Sequence, residues 1–154
     1  MKKNLIITYD EYIIKFREMI RSLGLNNSTQ REYVLKILFE CSNHLSAEQI
    51  QLKVKQLHNV SIGIATVYRI VSLLEDLKII NSISIAGSDS KVYELNLVLH
   101  HDHIICVDCK KIVEFENNKI EKLQELVAKE NNFILQSHNM ILYGICQECQ
   151  ENEQ

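Results

Sequence analysis

Apolar residues recur at helical spacing through the first half of the chain and then give way to short extended runs. Between Thr8 and Leu23, the residues Tyr12, Ile13, Phe16, Met19, Ile20 and Leu23 mark one face of an amphipathic helix, and Gly24 stops it. A second helix is predicted to open at Thr29, with Glu32 closing a capping box, and to bury Val34, Leu35, Ile37 and Leu38. Asn43-His44 form a break. Ser46-Ala47-Glu48-Gln49 is a further capping box, opening a helix that turns Ile50, Val54 and Leu57 inward. After the turn at Ser61-Ile62-Gly63, the stretch Ile64 to Leu74 buries Val67, Val71 and Leu74. Thr66, Arg69 and Ser72 fall on its opposite side, with Tyr68 at the flank. The runs Ile79 to Ala86 and Lys91 to Leu95, set around Gly87-Ser88-Asp89-Ser90, read as a hairpin.

Short helices followed by a hairpin is the order of a winged helix-turn-helix. The helix carrying Thr66, Tyr68 and Arg69 is then the candidate reader of a DNA major groove. From His103 the pattern changes. Ile104, Ile105 and Val107 are strand-like, as are Ile112, Val113 and Phe115. Asn117 to Asn131 is helical with Ile120, Leu123 and Val127 inward, and Phe133 to Ile145 is mainly extended. A β-β-α-β unit of roughly 55 residues has little interior of its own and needs a metal, a partner or both. The expectation is an α+β chain: residues 1–96 form an N-terminal winged helix-turn-helix domain, and 97–154 a small C-terminal α/β dimerisation domain.

Charge adds a little. The chain carries a net charge of −3. Residues 1–96 hold 12 Lys+Arg against 10 Asp+Glu, whereas the remainder holds 5 against 10, an asymmetry in the direction expected if the first half meets phosphate. No apolar run approaches the roughly 18 residues of a membrane span. The basic start at Lys2-Lys3 leads into only a short apolar run before Asp10 and Glu11, so export is not expected and the thiols are placed in a reducing cytoplasm.

In that compartment cysteines favour metal over disulfide, and four of the five fall in two C-x-x-C pairs, Cys106/Cys109 and Cys146/Cys149. Together they supply the ligands of a closed, structural tetrahedral zinc site pinning the first strand of the second unit to its last. The fifth, Cys41, reads as a buried apolar residue. Strand alternation along His100-His101-Asp102-His103 sends His101 and His103 to one face and His100 and Asp102 to the other, so one strand can serve two sites. Imidazole and carboxylate ligands suit Fe(II), Mn(II) or Zn(II) and hold them more reversibly than thiolates do. Glu94, His44, Glu114, Glu121 and His138 are further candidates that spacing alone does not connect, and His58 is taken as a surface residue. A zinc hydrolase or deaminase would need an open metal position, and a deaminase an H-x-E before P-C-x-x-C; the chain has no proline and no H-x-E, so no enzyme is expected. A metal store would have no use for the exposed Thr66-Tyr68-Arg69 surface.

The segment His100-His-Asp-His-Ile-Ile-Cys-Val-Asp-Cys109 with Lys111-Ile-Val-Glu-Phe115 closely resembles the signature of the ferric uptake regulator family. Ile64-Ala-Thr-Val-Tyr-Arg69 resembles that family's recognition helix, and His44-Leu-Ser-Ala-Glu48 the start of its hinge-proximal helix. The resemblance implies a homodimeric, cytoplasmic, metal-dependent repressor of iron-uptake and iron-homeostasis genes that binds double-stranded promoter DNA, with Fe(2+) as corepressor. A zinc- or peroxide-sensing regulator of the same superfamily is the alternative. Carried onto matching positions, the resemblance puts structural Zn(2+) on Cys106, Cys109, Cys146 and Cys149. A regulatory ion, Fe(2+) with Mn(2+) or Zn(2+) as substitutes, falls on His44, Glu94, His101 and His103 with Glu114 nearby, and bridges the domains. A further site falls on His100, Asp102, Glu121 and His138. Glutamates at 94 and 114 resemble the iron-sensing branch, since the peroxide-sensing pattern has aspartates there. DNA contact falls on Thr66, Tyr68, Arg69 and Arg31; the loop Leu25-Asn26-Asn27 lacks the basic residue that relatives often direct at the minor groove.

Overall fold

A computed structural model describes residues 7–41, 44–85, 90–96 and 101–152. The chain divides into two compact units, Met1–Val98 and Leu99–Gln154.

In the first unit, helix α1 (Tyr9–Ser22) is capped by Thr8, whose hydroxyl accepts from the Glu11 amide while the Glu11 carboxylate accepts from the Thr8 amide. It buries Ile13, Phe16 and Ile20. Gly24 ends it at φ +71°, where a side chain would be strained. Leu23 falls beyond the last turn and is exposed rather than inward. Helix α2 (Thr29–Glu40) buries Val34, Leu35, Ile37 and Leu38 as its pattern predicts. Its cap is Ser28, not Thr29, and Glu32 is not part of a box. Glu32 instead accepts two bonds from Arg17 on α1, at 2.8 and 2.6 Å. A bidentate guanidinium outcompetes a local amide for the carboxylate.

Strand β1 (Leu45–Ser46) leads into α3 (Ala47–His58), where the Ser46–Gln49 box is complete. Ile50 and Val54 are buried, but Leu57, in the last turn, is 61% exposed. His58 is no plain surface residue: its ring stacks on Tyr33 of α2 with centroids 4.3 Å apart. Cys41 is half-buried against the core. Helix α4 (Ile64–Asp76) buries Val67, Ile70, Val71 and Leu74. Strands β2 (Ile80–Ser84) and β3 (Lys91–Leu95) form the expected antiparallel hairpin, and β1 adds to β3 to give the order β1-β3-β2. The turn residues 86–89 and Asn43 of the break lie outside the described residues. Four helices and a three-stranded wing make this unit a winged helix-turn-helix.

In the second unit, β4 (Asp102–Cys106) is the central strand, antiparallel to β5 (Ile112–Phe115) and parallel to β6 (Ile141–Gly144). The parallel pair needs a crossover. β5 and α5 (Asn118–Glu130) supply it, and a short α6 (Gln147–Asn152) follows β6. Asn117 caps α5 by accepting from the Lys119 and Ile120 amides. The expected inward face of α5 is not buried: Leu123 is 60% and Val127 56% exposed. One small sheet offers no second layer to cover it. Phe133 to Met140 is also not strand; only Ile141–Gly144 pairs with β4.

Arg17 holds the Glu32 carboxyl below the usual carboxylate range. Its contribution to stability is therefore full at neutral pH and is lost as pH falls through that depressed value. Thermal melts across pH should show wild type above Glu32→Gln at pH 7, with the margin closing in acid. A margin independent of pH would contradict the ion pair.

Candidate metal centres and reader helix

The two cysteine knuckles meet because β4 and β6 run in parallel register, with Cys106 opposite Gly144. The Val107 amide donates to the Gly144 carbonyl at 2.9 Å, and the Cys146 amide to Cys106 Sγ at 3.4 Å. Lys110, at φ +63°, turns the first knuckle. Lys111 Nζ ties that knuckle to Glu148 inside the second at 2.9 Å. The four Sγ atoms all lie within 4.8 Å of one another, with Cys106–Cys149 at 3.8 Å and Cys109–Cys146 at 3.6 Å. Zinc bonded to sulfur at ~2.3 Å sets tetrahedral edges of ~3.8 Å. Disulfides would need ~2.05 Å. The residues therefore fit a tetrahedral thiolate cage.

The protons tell the same story. The Cys146 amide, first among several backbone donors, pulls Cys106 down to about 6, whereas hydrogen bonding with Cys146 and Cys109 pushes Cys149 up to about 12. Crowded thiols cannot all ionise together without a cation among them.

Alternation along β4 sorts the remaining ligands. Asp102 and His103 are 1% and 4% exposed and, as neighbours on a strand, point to opposite faces. On one face, His138 Nε2 lies 3.7 Å from Asp102 Oδ1 and 3.4 Å from Glu121 Oε2. Atoms sharing an ion at ~2.1 Å sit ~3.4 Å apart, so this trio fits one. His100, the fourth residue assigned to it, lies outside the described residues. On the other face, the His101 and His103 rings stand edge to face at 4.8 Å. Glu114 sits opposite His103 across the β4–β5 ladder. In the first unit, His44 Nε2 lies 3.2 Å from Glu94 Oε2, both side chains buried. Burying a carboxylate is costly unless it is paired, hydrogen-bonded or bound to a metal, and each pair offers two nitrogen or oxygen ligands.

Helix α4, the candidate reader, presents Tyr68 and Arg69 to solvent and leaves Thr66 half-buried. Arg69 folds along its own helix, donating to the Ala65 carbonyl and the Thr66 hydroxyl. Arg31, half-buried on α2, donates to the Asn26 carbonyl at 3.1 Å. Tyr68 donates to Glu48 Oε1 at 2.8 Å. Glu48 was visible in the sequence inside a capping box and at the end of the segment resembling the family's hinge-proximal helix, not as a partner of Tyr68. Its place beside Tyr68 comes from the packing of α3 against α4, which spacing does not give. The Lys111–Glu148 tie was likewise beyond reach.

A winged helix-turn-helix joined to a sheet with a thiolate cage and clustered imidazoles and carboxylates defines a metal-binding transcription regulator. Residues 22–143 match the ferric uptake regulator family. The chain is 44% identical over 144 residues to the ferric uptake regulation protein of Campylobacter jejuni, covering 93% of this chain and 91% of that one. Its fold superposes on the structure of the Helicobacter pylori ferric uptake regulator, described as having three functional metal-binding sites, with a TM-score of 0.88 at 37% identity across the whole of both chains. The Pseudomonas aeruginosa ferric uptake regulator with manganese matches at a TM-score of 0.73 and 30% identity, covering 85% of this chain and 97% of that one. The chain belongs to the ferric uptake regulator family.

Cys109→Ser and Cys146→Ser should each reduce chelator-resistant metal from about one ion per chain to none. They should also melt the second unit, as read by elemental analysis and amide exchange. Retention of a full equivalent by either variant would rule out the cage.

Proposed function

We propose that this protein is a cytoplasmic, homodimeric repressor of iron-uptake and iron-homeostasis genes that responds to Fe(II). Residues 1–96 bind promoter DNA and residues 97–154 form the dimer. Zn(2+) occupies the cage of Cys106, Cys109, Cys146 and Cys149 permanently. The regulatory ion is held by His44, Glu94, His101 and His103, with Glu114 close by; Mn(2+) or Zn(2+) can substitute. A further ion falls on His100, Asp102, Glu121 and His138. The observation that carries this reading is the buried pairing of His44 with Glu94 in one unit and the edge-to-face pairing of His101 with His103 in the other. Each pair supplies half of a four-ligand set.

When bound, the ion supplies a cross-link. His44 and Glu94 anchor it on the break before β1 and on β3, and His101 and His103 anchor it on β4 and just before it. Fixing those four side chains fixes how each reader helix is presented. In a two-fold dimer that sets the helices about 34 Å apart, one duplex turn. A coupling of ~1–3 kcal/mol, about 5–150-fold in DNA affinity, is enough for a switch. Thr66, Tyr68 and Arg69 then meet the bases, and Arg31 the backbone.

The dimer reading draws on the uncovered apolar face of the second unit. Leu123, Leu126 and Val127 on α5 are exposed along with Tyr143 of β6. Exposed apolar surface of this kind marks an interface.

Fluorescence anisotropy on a promoter duplex should show Fe(II) tightening wild-type binding within that 5–150-fold range. His101→Ala and His103→Ala should lose the response yet keep the cage metal. A full response in both variants would remove this site as the sensor. Val127→Glu should sediment as a monomer at micromolar concentration, and an unchanged dimer would place the interface elsewhere.

A further inference from the structure

A single polar chain in the first unit joins Ser46, at the start of α3, to the reader helix. Ser46, paired with Val92 on β3, caps α3 and accepts from the Gln49 amide. Its own hydroxyl proton goes to Glu48 Oε2 at 2.8 Å. The other oxygen, Oε1, takes the Tyr68 hydroxyl proton at 2.8 Å. Those bonds, that from Ser46 first, hold the Glu48 carboxyl below its ordinary range, and the bond to Glu48 raises the Tyr68 phenol. Glu48 is exposed and Tyr68 about half exposed, so both face whatever α4 meets.

An anionic side chain on a surface that meets phosphates is unfavourable unless it serves a particular contact. A carboxylate has no proton to give, so the phenol proton is the one shared between the two residues. Tyr68 Oη keeps only lone pairs toward the outside. It cannot then donate to a phosphate oxygen, to guanine N7 or O6, or to thymine O4. The groups it can meet in the major groove are the exocyclic amino groups, N4 of cytosine and N6 of adenine. Glu48 Oε1, 2.8 Å away, adds a second acceptor of the same kind.

We propose that Glu48 is a positioning residue that commits Tyr68 Oη to act as an acceptor, so that the Glu48–Tyr68 pair reads the exocyclic amino group of a cytosine or adenine in the major groove. This rests on the reading of α4 as the DNA-contacting helix. Failure of that reading shows separately, as an absence of any sequence preference in the wild type.

The test is selection from a library of random-sequence duplexes by metal-loaded, full-length wild type, Glu48→Ala, Glu48→Gln and Tyr68→Phe, each checked for an unchanged melting profile. Wild type should enrich a motif containing a cytosine or adenine position whose preference falls about 5–150-fold in Glu48→Ala and Tyr68→Phe. Preference at the other positions should hold. Glu48→Gln, which keeps an acceptor oxygen, should retain part of the preference. Replacing the base at that position with its analogue lacking the amino group, 2-pyrimidinone for cytosine or purine for adenine, should cost wild type the same factor. It should cost Glu48→Ala nothing further, and the analogue that matters tells cytosine from adenine. Three results would overturn the proposal: uniformly tighter binding of all duplexes by Glu48→Ala, a preference that follows the thymine methyl, or no loss with either analogue. A wild type that selects no motif overturns it together with the DNA-contact reading.

Discussion

Four sulfur atoms gathered at one end of β4 and β6 are what the second unit depends on. Among its described residues, the only buried apolar side chains are Ile105 and Cys106. That is far too little apolar surface to offset the ordering of more than fifty residues. The sheet is narrow, and α5 leaves its apolar face open. A cage with an apparent binding energy of ~10–16 kcal/mol in small zinc domains changes that balance. It also fixes register. Cys106 ends β4 and Cys146 lies just past β6, so closing the cage requires the parallel pairing of those strands and no other. The placement of every histidine and carboxylate on β4 follows from that.

β4 then distributes ligands by pleat alone. A one-residue slip would exchange its faces, sending His103 to the side of Glu121 and His138 and turning Asp102 away from them. The buried state of both Asp102 and His103 shows that each face is occupied. This is an unusual use of a central strand. Its alternate positions serve polar sites on both sides where a larger domain would place two apolar layers.

Much of this was legible in the sequence because the signals were local. The capping box at Ser46–Gln49, the Val67–Val71–Leu74 stripe, the wing hairpin and the C-x-x-C pairs each depend on residues a few positions apart. The misreadings share a different cause. Thr29 with Glu32 satisfies the capping-box pattern, but Arg17, fifteen residues earlier, takes the carboxylate. Leu123 and Val127 have the right spacing for a core stripe, and nothing in spacing says whether the surface opposite belongs to the same chain. His58 looked like a lone polar residue until α2 brought Tyr33 against it. The pairing of His44 with Glu94 spans fifty residues and follows only from β1 joining β3. Likeness to a family placed those ligands together where periodicity did not.

On the proposed reading the regulator keeps one metal and exchanges another, and its candidate ligand sets differ accordingly: four thiolates in one, imidazoles and carboxylates in the other. Soft thiolates filling every position make a site that is closed to exchange. Imidazole and carboxylate donors bind more weakly and exchange with the cellular pool, which a sensor requires. Weakness alone would not make a switch, since a ligand shifts an equilibrium only by its differential affinity for the two states. In the proposed switch, drawing ligands from separate elements would supply that difference, because a state that holds the elements apart would offer only part of the set. Glu94 sharpens it further: its carboxylate is buried beside His44, and burying a carboxylate is costly unless it is paired, hydrogen-bonded or bound to a metal. In the proposed switch, the free energy of bringing both pairs onto one ion, more than the strength of any single metal–ligand bond, sets the threshold of the response.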